Sequence, residues 1–102
     1  KSFSNVIAKT KTIAAAEAKY NLAALQFAKG DYKGSQKTCF DLMNNMTSYD
    51  YWVAKSVILL SDNYLALKDK LNAKSTLLSI IDNYEGKDEI VATAKEKLAK
   101  IN

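Results

Sequence analysis

Ala16 recurs as Ala54 and again as Ala92, and Leu22 recurs as Leu60 and Leu98, a constant spacing of 38 residues. Ala23, Ser61 and Ala99 fall into the same register and are all small. Asp31 meets Asp69, Ser35 meets Ala73, Thr38 meets Thr76, Cys39 meets Leu77 and Leu42 meets Ile80. A period in this range marks supersecondary units that stack and bury their apolar faces against one another, rather than a chain that closes on itself. The repeat therefore constrains the fold before any single motif does.

The unit is helical. Ile13, Ala16, Tyr20, Ala23, Ala24 and Phe27 follow steps of three and four, as do Trp52, Val53, Val57, Leu60, Tyr64 and Leu67, then Leu71, Leu77, Leu78 and Ile81. Strand-like alternation is absent. Breaks fall at Thr10-Lys11-Thr12, Gly30-Asp31, Thr47-Ser48, Lys68-Asp69 and Glu85-Gly86-Lys87. The spacing predicts six helices, about 2–9, 13–29, 31–46, 49–68, 70–84 and 88–101, with Ser, Thr or Asp near each start to cap free N–H groups. Connections this short make consecutive helices antiparallel hairpins.

The residues that carry the repeat resemble the tetratricopeptide repeat (TPR) family, whose unit is two antiparallel helices of about 34 residues. The first full unit runs from Ala16 to Thr47. Leu22-Ala23 stands at the family's Leu-Gly/Ala position, Gly30-Asp31-Tyr32 matches its Gly-Asp-Tyr turn, and Ser35 takes the small-residue place where the second helix crosses the first. The second unit begins at Ala54 and carries Leu60-Ser61, Tyr64, Asp69 and Ala73 at equivalent places. Two features depart from the family pattern. The spacing is longer, and Thr47 and Glu85 stand where a closing proline is usual.

The resemblance implies an all-α fold, antiparallel hairpins stacked as a right-handed α-solenoid. Residues 1–102 would form one domain, with 1–12 ending a preceding repeat, 13–47 and 48–86 forming repeats, and 87–102 forming a capping helix. The chain begins at Lys1 rather than Met and reads as a piece of a longer protein. Tyr51 to Gly86 also resembles TPR segments of bacterial cell-envelope scaffold and assembly proteins, which implies an envelope or periplasmic setting, with the cytoplasm as the other option.

In such arrays the first helix of each unit lines a concave groove. The resemblance places Glu17, Tyr20, Ala24 and Phe27 there in the first unit, and Lys55, Ile58, Asp62 and Leu65 in the second. Tyr20 and Ala24 occupy positions where a co-chaperone clamp for a C-terminal carboxylate would need Lys and Asn. A protein or peptide segment with apolar anchors fits this mixed surface better. Gly30, Asp31, Ser35, Asp69 and Ala73 have structural roles in turns and crossings.

Composition removes several function classes. The chain has no His and no Arg; all 15 of its basic residues are Lys, against 11 acidic ones. The usual neutral-pH acid/base and the commonest metal ligand are thus missing, as is bidentate recognition of phosphate or guanine. Cys39 is the single cysteine. It can form no internal disulfide, and its register with Leu77 reads as a buried small hydrophobe. Gly30-Asp31-Tyr32-Lys33-Gly34-Ser35 lacks the spacing and the lysine of a phosphate loop and follows a helix, not a strand. It reads as a turn between helices, with Gly30 ending one and Asp31 capping the next.

The carboxylates Asp88-Glu89 and Asp82/Glu85 read as solvated groups near helix ends. Asn45-Met46-Thr47 is a glycosylation triplet that carries little weight alone. Lysines at 9, 11, 95, 97 and 100 gather near the two ends but are interleaved with acids elsewhere, so nucleic-acid binding is not expected. Tyr49, Tyr51 and Trp52 crowd one helix start and suit either core or contact. No apolar run approaches a bilayer span. The reading is a non-catalytic protein–protein interaction or scaffold module without cofactor or metal. The alternative is a nucleic-acid-associated helical domain using its lysines. Self-association through the N-terminal end is a further expectation, carried by Phe3, Val6 and Ile7.

Overall fold

The computed structural model describes residues 13–45, 50–86 and 88–101. Within them the chain is all-α. Five helices follow in order: α1 Ile13–Ala28, α2 Tyr32–Asn45, α3 Asp50–Ala66, α4 Lys70–Asn83 and α5 Ile90–Ala99. The helix expected over 2–9 lies outside the described residues, as do Tyr49 and most of the glycosylation triplet.

Two turns show why the helices stop where they do. After α1, Gly30 takes φ 85°, its N–H donates to the Phe27 carbonyl at 3.0 Å, and the Asp31 N–H donates to the Gln26 carbonyl at 2.9 Å. After α3, Lys68 takes φ 65°, its N–H donates to the Leu65 carbonyl at 2.9 Å, and the Asp69 N–H donates to the Tyr64 carbonyl at 2.7 Å. Both are left-handed helix ends of the Schellman type, which satisfy carbonyls the helix leaves open. The next helix then starts from an aspartate in each case. Asp31 Oδ1 accepts from the Gly34 N–H at 3.0 Å, and Asp69 Oδ1 accepts from the Asn72 N–H at 3.2 Å. The two connections are thus the same object, bond for bond, 38 residues apart.

α5 is shorter than its spacing predicts. Asp88 and Glu89 form a bend rather than a first turn, because Asp88 accepts from both the Ile90 N–H (3.0 Å) and the Tyr84 hydroxyl (2.6 Å). At the other end the Lys100 N–H turns back on Leu98 and Lys97, which brings Ile101 down into the core.

Each helix packs on the next, and α1 also lies against α3, and α3 against α5. Helices α1 and α2 run antiparallel, with Leu42 beside Ala16 and Ser35 beside Ala23. Small residues make the crossings close. Ala23 and Ser35 meet in the first hairpin, and Ser61 and Ala73 stand at the equivalent places in the second; all four are fully buried. The serine changes sides between the two: Ser35 Oγ donates across to the Ala23 carbonyl at 2.8 Å, whereas Ser61 Oγ donates within its own helix to Ile58 at 2.6 Å.

The buried residues form three neighbouring clusters, Ala16 with Leu42 at one end, bridged by half-buried Tyr20, Val53, Met43 and Tyr64. Ala23, Cys39, Leu59 and Leu60 join α1, α2 and α3. Ala54, Val57, Ile58, Ala73, Leu77 and Ile80 then join α3 to α4, with Ile90, Ala94 and Ile101 closing over them from α5. Fully burying one such side chain contributes about 1.5–3 kcal/mol. Asn63 is the one fully buried amide among the described residues. Its Nδ2 donates to Ser35 Oγ at 2.9 Å and to the Leu59 carbonyl at 3.1 Å, so α3, α2 and, through Ser35, α1 share one hydrogen-bonded chain.

Candidate functional site

The face where α1, α3 and α5 lie side by side gathers aromatic rings, a lysine and carboxylates of the described residues. Tyr20, on α1, points across to Trp52 on α3, with ring centroids 5.7 Å apart. Trp52 also meets Tyr51 edge-on at 5.2 Å. One turn further along α3, the Lys55 ammonium lies 4.9 Å from the Tyr20 ring centre, 5.5 Å from Trp52 and 5.7 Å from Tyr51. Ring quadrupoles attract a cation at these distances. The spacing of 51, 52 and 55 along one helix, against a tyrosine from its neighbour, is what gathers three rings around one lysine.

Carboxylates border this cluster. Tyr51 Oη donates to Glu89 Oε2 at 2.5 Å, joining α3 to the start of α5. That bond pushes the Tyr51 phenol up to about 12 and holds the Glu89 carboxyl below its usual range. Burial raises the Tyr20 phenol, and the nearby Asp62 carboxylate adds to the effect. Asp62 sits two turns along α3 and is bound by Lys97 of α5 at 3.2 and 3.3 Å. Its carboxyl is raised by burial, against which Lys97 pulls in the opposite direction. Asp62, Leu65, Lys70, Lys97, Lys100 and Ile101 surround a cleft of about 340 Å³ at this end of the face.

The eight groove residues do not share one environment. Glu17 is exposed. Tyr20 and Lys55 form the cation–ring cluster, and Asp62 and Leu65 line the cleft. Ala24 and Phe27 pack against the first core, where Phe27 also meets Tyr32 edge-on at 5.3 Å. Ile58 is only 7% exposed, because α5 lays Ile90, Ala94 and Ile101 over it; it belongs to the core and offers no surface. The turn and crossing residues Gly30, Asp31, Ser35, Asp69 and Ala73 occupy the two connections and two crossings described above.

No family model, curated protein or solved structure matches the chain.

The opposite side of the molecule holds a larger, mostly apolar cleft of about 840 Å³ between α2 and α4. Val53, Val57, Leu60 and Tyr64 of α3 form its floor, and Phe40, Thr76, Ser79 and Tyr84 stand at its walls. Sequence reasoning missed this cleft, because it arises from the separation of two helices that are not neighbours in the chain. It also missed Lys55 as the centre of an aromatic cluster, although its spacing from Tyr51 and Trp52 was visible.

Burial pushes the Cys39 thiol up to about 12, against the smaller opposing effect of a hydrogen bond with Ser35, so it stays protonated at neutral pH. Among the described residues no group of three or more His, Cys, Asp or Glu is placed to hold a metal ion. No described helix is long and apolar enough to cross a membrane.

Proposed function

We propose that the chain is a non-catalytic interaction module, a TPR-like α-solenoid that binds a protein or peptide segment along the face of α1, α3 and α5. The observation that carries the reading is the cluster of Tyr20, Tyr51 and Trp52 around Lys55. These rings are half-buried, so each presents an apolar body already held in place and an edge still open to a partner. Tyr and Trp held this way provide large contact area at low entropic cost and dominate binding energy at interfaces. The TPR-like arrangement is supported by the two identical turns, the small-residue crossings and the packing of α1 on α3 and α3 on α5. A bacterial envelope scaffold is the setting that the resemblance of Tyr51–Gly86 favours.

Trp52 is the only tryptophan of the chain, so its emission reports on the face directly. A peptide selected for binding by display should shift that emission. Tyr20→Ala and Lys55→Ala should weaken its binding at least tenfold while the helical circular dichroism stays unchanged. Equal affinity in both variants, with the fold intact, would overturn this site.

A second reading, a nucleic-acid-associated domain, draws on Lys70, Lys97 and Lys100 around the smaller cleft. It requires binding that falls steeply with salt, and no retardation of DNA or RNA at low salt would remove it.

A further inference from the structure

Two apolar surfaces have no cover among the described residues, and they complement each other. The first is a ridge. Helix α1 exposes Ala14, Ala18, Leu22 and Leu25, with Leu22 47% and Leu25 52% exposed. Its buried and half-buried residues Ala16, Tyr20, Ala23 and Phe27 lie on the opposite side of the helix, against the core. The second is the cleft of about 840 Å³ between α2 and α4, floored by Val53, Val57, Leu60 and Tyr64. Steps of three and four put each row on one side of its helix. Val53 to Tyr64 and Ala14 to Leu25 cover the same number of residues, a length of about 16 Å for each at the helical rise.

Charge gives the match a direction. α2 and α4 both run back along α3, with Ser35 beside Asn63 and Asp69 beside Tyr64. The end of α4 therefore lies at the Val53 end of the floor. Glu85, the one charged group that lines the cleft among the described residues, stands there, with Asp82 just before it. Towards the Tyr64 end, Lys37 precedes Phe40 by one turn of α2, and Lys74 precedes Ser75 on α4. Helix α1 carries the reverse order, with exposed Glu17 near its start and exposed Lys29 just past its end. A helix laid in the cleft parallel to α2 and α4 brings such a lysine to Glu85 and such a glutamate between the two lysines. The same direction sets the small Ala14 and Ala18 beside bulky Phe40 and Tyr64, and Leu22 and Leu25 beside Val57 and Val53.

We propose that the chain associates head to tail, with the α1 ridge of one copy lying in the α2–α4 cleft of the next. Within one copy α1 is packed on α2 and α3, so its ridge reaches only the cleft of another. The contact is heterologous: a joined pair still offers one ridge and one cleft, so assembly continues past two copies. An interface built on one helix falls below about 1,200 Å², in the class of reversible, concentration-dependent contacts. It uses neither Lys55 nor the rings around it, so it stands independently of the partner face.

Sedimentation of the unsubstituted chain tests this. Its average mass should rise with concentration beyond that of a dimer. Leu22→Asp with Leu25→Asp spoils the ridge, and Phe40→Asp with Ser79→Arg spoils the cleft. All four side chains are exposed, so helical circular dichroism should stay unchanged. Each double variant alone should associate at least tenfold more weakly. Mixed one to one, they should form a dimer and nothing larger, because only one intact ridge and one intact cleft then meet. Lys29→Glu should weaken association as well, and Glu85→Lys in the same chain should restore it, which gives an independent reading if a double variant loses helicity. A chain that stays monomeric at millimolar concentration would overturn the proposal. So would a mixture that fails to pair, or a ridge variant that loses association while the cleft variant keeps it.

Discussion

At position 68 the backbone takes φ 65° while carrying a lysine side chain, where its counterpart, position 30, has glycine. A left-handed conformation costs an L-residue about 1–2 kcal/mol. The turn's hydrogen bonds and the packing on either side hold Lys68 there nonetheless. Lys68→Gly should therefore stabilise the chain by about 1 kcal/mol after the added freedom of the unfolded glycine is offset, and Gly30→Ala should destabilise it by about as much. Urea unfolding would show the pair as opposite shifts in midpoint at constant slope. Cys39 gives a second expectation. Its thiol ionises near 9.0 in an unexceptional setting and near 12 when folded. The folded chain thus holds the proton more tightly, so this contribution is complete below about pH 9 and is lost as pH rises from there towards 12. Tyr20 and Tyr51 are shifted in the same direction, so the thiol's share is isolated by comparison. Cys39→Ala should lose less stability than the parent chain between pH 8 and pH 11 in the same urea titration, and the parent thiol should resist alkylation until the chain unfolds.

Helices α1, α3 and α4 were legible from steps of three and four, α2 and α5 from the breaks that bound them, and the two connections from Gly30-Asp31 and Lys68-Asp69. These are local properties: a helix end needs only its own last turn and the next aspartate. What stayed hidden depends on distant partners. Asn63 looks like a surface residue between Asp62 and Tyr64, and its counterpart Leu25 is exposed; it is buried because Ser35, 28 residues earlier, meets it. Ile58 falls in the groove register by analogy, yet α5 covers it. The aromatic site was legible as a crowd of rings at 51 and 52, but not the role of Lys55, since Tyr20 comes from another helix. The crossings permit a prediction for elements. Ala73 is fully buried opposite Ser61, so Ala73→Leu should overpack the α3–α4 crossing and cost about 1–3 kcal/mol. A melting temperature no lower than the parent's would place that crossing elsewhere. Gly34 offers the contrary case. A side chain there would crowd the Asp31 cap, yet Asn72 stands at the equivalent place and donates to Asp69 Oδ2 at 2.6 Å. Gly34→Asn should reproduce that bond and leave stability equal or higher, where a larger apolar residue would displace the cap.

For the molecule as a whole, α5 closes the second core. A chain ending at Gly86 loses Ile90, Ala94 and Ile101 from that core. At about 1.5–3 kcal/mol for each large apolar side chain, the two isoleucines alone represent a large part of the 5–15 kcal/mol that holds a typical domain. Such a truncation should abolish cooperative melting and expose dye-binding apolar surface, which calorimetry and a fluorescent probe would detect. The cross-links between units are unevenly distributed. Tyr51–Glu89 and Asp62–Lys97 tie α3 to α5 on one side, where α1 and α3 also touch, whereas α2 and α4 stand apart across the 840 Å³ cleft on the other. Such a body has a stiff spine and a soft flank. Any bending about the α1–α3–α5 line would change the width of the cleft far more than the geometry of the aromatic face. A partner held by the rings around Lys55, as proposed, would meet the more tightly cross-linked side, while anything seated between α2 and α4 would depend on how far those two helices stand apart.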